Sequence, residues 1–179
     1  MNKKSKKSGF TLMEVLIVSG MFSILIIAMA SIFVSALRTE NNIFAAKKVL
    51  SQVSYSVEYM TRALRMAEKD IVGDCIDRGS NYEVGVESIK FKNTLQEGNC
   101  QSFYLDNGQI KVQDLNANTD FDLTSSDVNV TDLDFIAHGE SQGDDFQPFV
   151  TIYLEAQSFD SPILEIQTSV SQRNPDITR

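Results

Sequence analysis

Glu14 is the residue whose surroundings most demand a chemical explanation. It is the one charged side chain between Phe10 and Leu37, and the 23 residues from Val15 to Leu37 carry no charge and are rich in Val, Leu, Ile, Met and Phe. A carboxylate at the centre of a membrane-spanning helix costs roughly 2.5–3.5 kcal/mol on insertion scales, and less near an interface. A plain anchor gains nothing from that cost, so the acid calls for a cationic partner at the same depth. No Lys, Arg or His lies between Phe10 and Leu37. An α-amino group made by cutting the chain just before the apolar run would supply the cation.

Other reactive types are sparse. Cys75 and Cys100 are the only cysteines, too few for a disulfide scaffold or a zinc site built from Cys. Outside the cytoplasm such a pair is expected to oxidise, and a loop of that length contributes roughly 3 kcal/mol in the chain-entropy account. Two separate thiols are the alternative, because spacing alone does not bring the Cα atoms together. Asp114, Asn116, Asn118, Asp120 and Asp122 alternate like the oxygens of a calcium loop. The EF-hand pattern, however, needs Gly sixth and Glu twelfth, where Thr119 and Ser125 stand, so a turn-rich acidic loop is the competing reading. The single His, His138, sits in Ala-His-Gly-Glu-Ser-Gln-Gly-Asp-Asp with no nucleophile motif tied to it. The chain has no Gly-rich phosphate loop, no H-E-x-x-H and no C-x-x-C. Neither catalysis nor a cofactor is expected.

These residues sit in a chain built in segments. Its 179 residues have a formal net charge of −8, unevenly spread. Residues 1–9 carry four Lys, and residues 71–179 hold 19 acidic against six basic side chains. Such an acidic body repels phosphates, so nucleic acid is not an expected partner. As a helix, Val15–Leu37 rises roughly 35 Å, enough to cross a bilayer core. The lysines ahead of it place the N-terminus in the cytoplasm and the body outside. A cleaved secretory signal fits less well, since its apolar core is about 7–15 residues and ends at small residues.

Helical patterning continues past Leu37. Ile43, Leu50, Val57, Leu64 and Ile71 recur every seven residues, as do Ala46, Val53, Met60 and Ala67. The stripe predicts one helix from about Thr11 to Asp70, either paired in a coiled coil or, the favoured reading, laid on the region that follows. That region reads as strands at 82–86, 88–92, 102–106, 109–113, 130–136, 149–156 and 163–171, joined as one antiparallel meander. Loops are expected at 93–101, 114–128 and 138–147, a turn at Phe159-Asp160-Ser161-Pro162, and a loose end at Asn174–Arg179. Asn107-Gly108 is the best hairpin signal. The fold class expected is α+β, a long N-terminal helix packed on an antiparallel β-sheet.

Lys6-Lys7-Ser8-Gly9-Phe10-Thr11-Leu12-Met13-Glu14-Val15-Leu16 closely resembles the class III signal of type IV prepilins and type II secretion pseudopilins. The resemblance covers about residues 3–37. It implies cleavage between Gly9 and Phe10 by a prepilin peptidase, N-methylation of Phe10, and pairing of Glu14, fifth in the mature chain, with the Phe10 amine of a neighbouring subunit. It implies as partners other pilin or pseudopilin subunits, the peptidase/methylase and an inner-membrane assembly platform, with the chain a single-pass membrane protein before it enters a surface or periplasmic filament. The corresponding domains are a leader (1–9), a hydrophobic filament-core helix (10–37), its amphipathic continuation (38–72) and a strand-rich body (73–179). Size and layout resemble a minor subunit, most nearly the J-type minor pseudopilins. Glu14 argues against the K-type tip subunit, which usually lacks that acid. The alternative is a signal-anchored monomeric surface protein whose β domain binds a ligand or partner.

Overall fold

The computed structural model describes residues 9–94, 99–139, 146–158 and 161–173. Residues 1–8 of the leader, parts of the loops expected at 93–101 and 138–147, Phe159-Asp160 and Asn174–Arg179 lie outside the described residues. A single α-helix, α1, runs from Leu12 to Arg65. The chain divides into two compact units, one ending at Asn42 and the other beginning at Ile43. In the first unit the helix is exposed throughout its described length, apolar side chains included. Its hydroxyls turn inward on the backbone: Ser19 donates to the Leu16 carbonyl (3.0 Å), Ser23 to that of Ser19 (2.8 Å) and Ser31 to that of Ala28 (2.8 Å). Polar side chains satisfied in this way are compatible with an apolar surrounding.

In the second unit α1 buries Val49, Val53, Ser56, Met60, Ala63 and Leu64. The spacing is heptad-like over this short span: Val49, Ser56 and Ala63 stand seven apart, as do Val53 and Met60. Of the two expected rows, Ala46-Val53-Met60-Ala67 is the packed one, and the other is displaced by one residue, from Leu50 and Val57 to Val49, Ser56 and Ala63. Val53, Met60 and Leu64 are buried, whereas Ile43, Leu50 and Ile71 are exposed. Of the two readings of the stripe, packing on the following region is the one observed. The helix face shares one core with Phe91, Phe103, Ile110, Leu133, Ile152 and Leu154.

The helix also stops sooner than expected, at Arg65 instead of Asp70. Ala67–Glu68 forms a short strand, β1, antiparallel to Asn93 and Lys92. The last carbonyls of α1 find partners outside the helix: that of Leu64 accepts from the Tyr82 hydroxyl (3.2 Å) and that of Arg65 from the Arg173 amide (2.7 Å). Such bonds replace the intrahelical ones that a helix end lacks.

Eight more strands follow: β2 (Glu83–Gly85), β3 (Ser88–Asn93), β4 (Asn99–Asp106), β5 (Gln109–Asp114), β6 (Thr119–Asp122), β7 (Asn129–His138), β8 (Phe149–Gln157) and β9 (Leu164–Ser171). All pairings are antiparallel, and the architecture is α+β. They form two sheets, not the single meander expected: a six-stranded sheet in the order β1-β3-β4-β5-β6 with β2 also on β3, and a three-stranded sheet β7-β8-β9. The Asn107-Gly108 hairpin forms as expected, with φ of 52° and 74°. Glycine is required there twice over. Its φ is positive, and a Cβ would lie 2.1 Å from Asn129 Oδ1, where the hairpin touches the start of β7. Val130 donates to the Gly108 carbonyl (2.9 Å), so this turn couples the two sheets.

Candidate functional site

Thr11 precedes α1 and caps it. The Glu14 amide points at Thr11 Oγ1 (3.3 Å) and at the Thr11 carbonyl (3.1 Å), one half of a Thr-x-x-Glu capping box. Glu14 occupies the first turn, where the helix dipole favours a negative charge. This local role is legible in the spacing Thr11-Leu-Met-Glu14, and it stands beside the pairing role that the apolar surroundings of Glu14 suggest. Glu14 also lies on one apolar stripe of the helix, in a shallow groove lined by Phe10, Val15, Val18, Ser19 and Phe22. Among the described residues it makes no ion pair, and Phe10 is 82% exposed. Gly9 meets no heavy atom within 4 Å of where a Cβ would stand, so the bond to Phe10 lies in open backbone. By length and composition α1 is able to cross a membrane.

A second organised region follows the helix. Asp70 is fully buried, and its carboxylate accepts four backbone amides: Val72 (3.1 Å) and Gly73 (2.8 Å) on Oδ1, Cys75 (2.7 Å) and Ile76 (3.2 Å) on Oδ2. Burial pushes this group up, but the amides of Cys75, Gly73, Ile76 and Val72 outweigh it and hold the pKa down at about 2. Lys92 Nζ approaches to 3.9 Å of both Asp70 and Glu68. The loop wound on Asp70 brings Cys75 against Cys100 at the start of β4, and the two form a disulfide with Cα atoms 5.3 Å apart. No motif in the sequence pointed to Asp70.

The acidic stretch after β5 is used for folding. Asp114 Oδ1 accepts the amides of Asn116 and Ala117 (3.0 Å each), Asn116 Oδ1 accepts that of Cys100 (2.8 Å), and Asp120 accepts the Tyr104 hydroxyl (3.1 Å). Asn118 takes the positive φ of a tight turn (53°), and Thr119–Asp122 returns as β6, inside the stretch read as loop. Among the described residues no cluster of three or more His, Cys, Asp or Glu is placed to hold a metal ion. His138 stacks on Phe149, ring centroids 4.8 Å apart, at one end of the three-stranded sheet.

Residues 4–30 match the family model described as the prokaryotic N-terminal methylation motif. The match supports a class III signal of the kind that type IV pilins and pseudopilins carry, and with the apolar N-terminal helix it suggests a membrane-anchored precursor. No match to the chain was found among curated proteins or among solved structures.

Proposed function

From that signal as premise, we propose that the chain is a structural subunit, of the minor type, in a type IV pilus or type II secretion pseudopilus. A peptidase removes residues 1–9, Phe10 becomes the N-methylated N-terminus, and residues 10–37 pack laterally against the same helix of neighbouring subunits. Residues 38–72 continue that segment, and 73–179 form the body outside the membrane. The observation that carries the reading is Glu14: an exposed carboxylate on an apolar helix face, without an ion pair among the described residues, fifth after Gly9. The Phe10 amine of a neighbour is a cation of the right depth. In low dielectric the attraction is strong, but desolvation offsets much of it, so its chief effect is axial register: a subunit displaced by one turn leaves both charges unpaired.

Intact-mass and N-terminal analysis of the protein from its native membrane tests this. The expected chain begins at N-methylated Phe10, and Glu14→Gln is expected to be processed normally but left out of filaments. A chain still beginning at Met1 or Asn2 would remove the basis for assembly. The Thr11–Glu14 cap favours a second reading, a signal-anchored surface protein in which Glu14 merely starts the helix. On that reading the leader stays attached and Glu14→Gln changes nothing but helix-start stability, by about 0.3–1 kcal/mol.

A further inference from the structure

The two sheets treat their charges differently. On the six-stranded sheet each lysine lies beside carboxylates: Lys90 with Glu83 (3.6 Å), Lys92 with Glu68 (3.9 Å), and Lys111 with Asp106 (2.8 Å) and Asp122 (3.9 Å). Strands β7, β8 and β9 contain no Lys or Arg at all. On the outer face of that sheet Asp132, Glu155 and Glu165 stand directly opposite one another across all three strands. Like charges so placed destabilise an isolated sheet. A separate group reports the field they make: the Tyr153 hydroxyl is pushed up to about 12, first by its bond to Glu155, then by burial and the charges of Glu155, Glu165 and Asp132.

The complementary charge is on α1. Opposite its buried face, the part of the helix in the second unit exposes Lys47, Arg62 and Arg65, with Glu58 the one acid of that side. Glu58 pairs with Arg62, and Arg65 makes no ion pair among the described residues. Arg62 and Arg65, three apart on a helix, have Cβ atoms about 5–6 Å apart. Glu155 and Glu165, paired across strands, have theirs about 4.5–5.5 Å apart. Two guanidinium groups therefore match two carboxylates in spacing as well as sign, the geometry that Arg–carboxylate pairs favour.

We propose that the outer face of the three-stranded sheet docks on the Arg62–Arg65 side of α1 in a second copy of this chain. Because the two faces differ, the contact is head-to-tail, and a pair leaves one copy of each face free for a further subunit instead of closing as a symmetric dimer. The proposal adds a body-to-body contact to the filament reading and rests on it only for context. An unprocessed chain that still made this contact would sink the filament reading alone, and a processed chain that did not would sink the contact alone.

The experiment uses the full chain in detergent, followed by sedimentation velocity. E155K/E165K and R62E/R65E are prepared separately and then mixed. Each variant alone is expected to lose self-association by about tenfold or more, and the mixture to regain it, since a reversed sheet then meets a reversed helix. Unchanged association of either variant alone would overturn the proposal. So would two impaired variants that do not rescue each other on mixing, because the acidic face would then meet some other cationic surface. Where a reversal prevents folding, judged by thermal unfolding, E155Q/E165Q and R62Q/R65Q replace it. Both neutral variants are expected to weaken association and to reduce its salt dependence, and an unaltered salt dependence would overturn the proposal.

Discussion

Asp70 keeps its charge in a buried site because four amides converge on it, and that arrangement has a pH signature. Its pKa is lowered in the fold, so the stabilisation is present above the ordinary Asp value of 3.8 and is lost as pH falls towards about 2. The shift corresponds to about 2 kcal/mol. Asp70→Asn is expected to lose about that much stability at pH 7 and much less at pH 2, measured by denaturant unfolding at both values. An equal loss at both would mean that the carboxylate's charge is irrelevant. Residues differ in how plainly the sequence displays such roles. Glu14 stands out because 23 uncharged residues follow it, and Cys75 and Cys100 because no other cysteine competes. Asp70 is one acid among 24, and its role depends on backbone amides that only the folded loop turns towards it.

Among the elements, α1 carries the clearest test of register. Met60 is fully buried against the sheets, and Leu50, a member of one predicted stripe, is 49% exposed. Met60→Ala is expected to cost about 2–5 kcal/mol and Leu50→Ala less than about 1, by thermal or denaturant unfolding. Comparable costs would place the helix face elsewhere. The period of the helix and one buried row, Val53-Met60-Ala67, were legible in the sequence; the other was not, because small Ser56 and Ala63 do not stand out beside Leu50 and Val57. Strands with clear alternation, such as Val150, Ile152, Leu154 and Ala156 of β8, fall where the pattern puts them. β1 and β6 did not show, having two and four residues, and β6 has no buried face to impose alternation. The split into two sheets escaped notice because nothing local announces it. It depends on which edges the strands leave unpaired after the Gly108–Val130 contact.

At the scale of the whole chain, no core residue among the described residues precedes Val49, so the second unit owes its folding to its own packing. A chain beginning at Asn42 is expected to unfold within about 2 °C of the full chain in detergent, by circular dichroism. A much larger drop would show that the apolar helix stabilises the body directly. The order of these segments was legible in the charge partition along the chain, whereas the acidic row Asp132-Glu155-Glu165 required the sheet register. The bond between Cys75 and Cys100 has a mechanical meaning as well. Any pull delivered along α1 first loads its packed face, from Val49 onward, and beyond Arg65 it meets the loop that leads to Cys75. Tension that unwinds the Asp70 loop then reaches a covalent shunt into β4, and the chain between the two cysteines is bypassed. At about 3.5 Å per extended residue, the 25-residue separation keeps close to ~90 Å of contour length out of reach while that bond holds. Under load, β2 and β3 are sheltered from a force applied through the helix, and the body yields first where no covalent link bridges it.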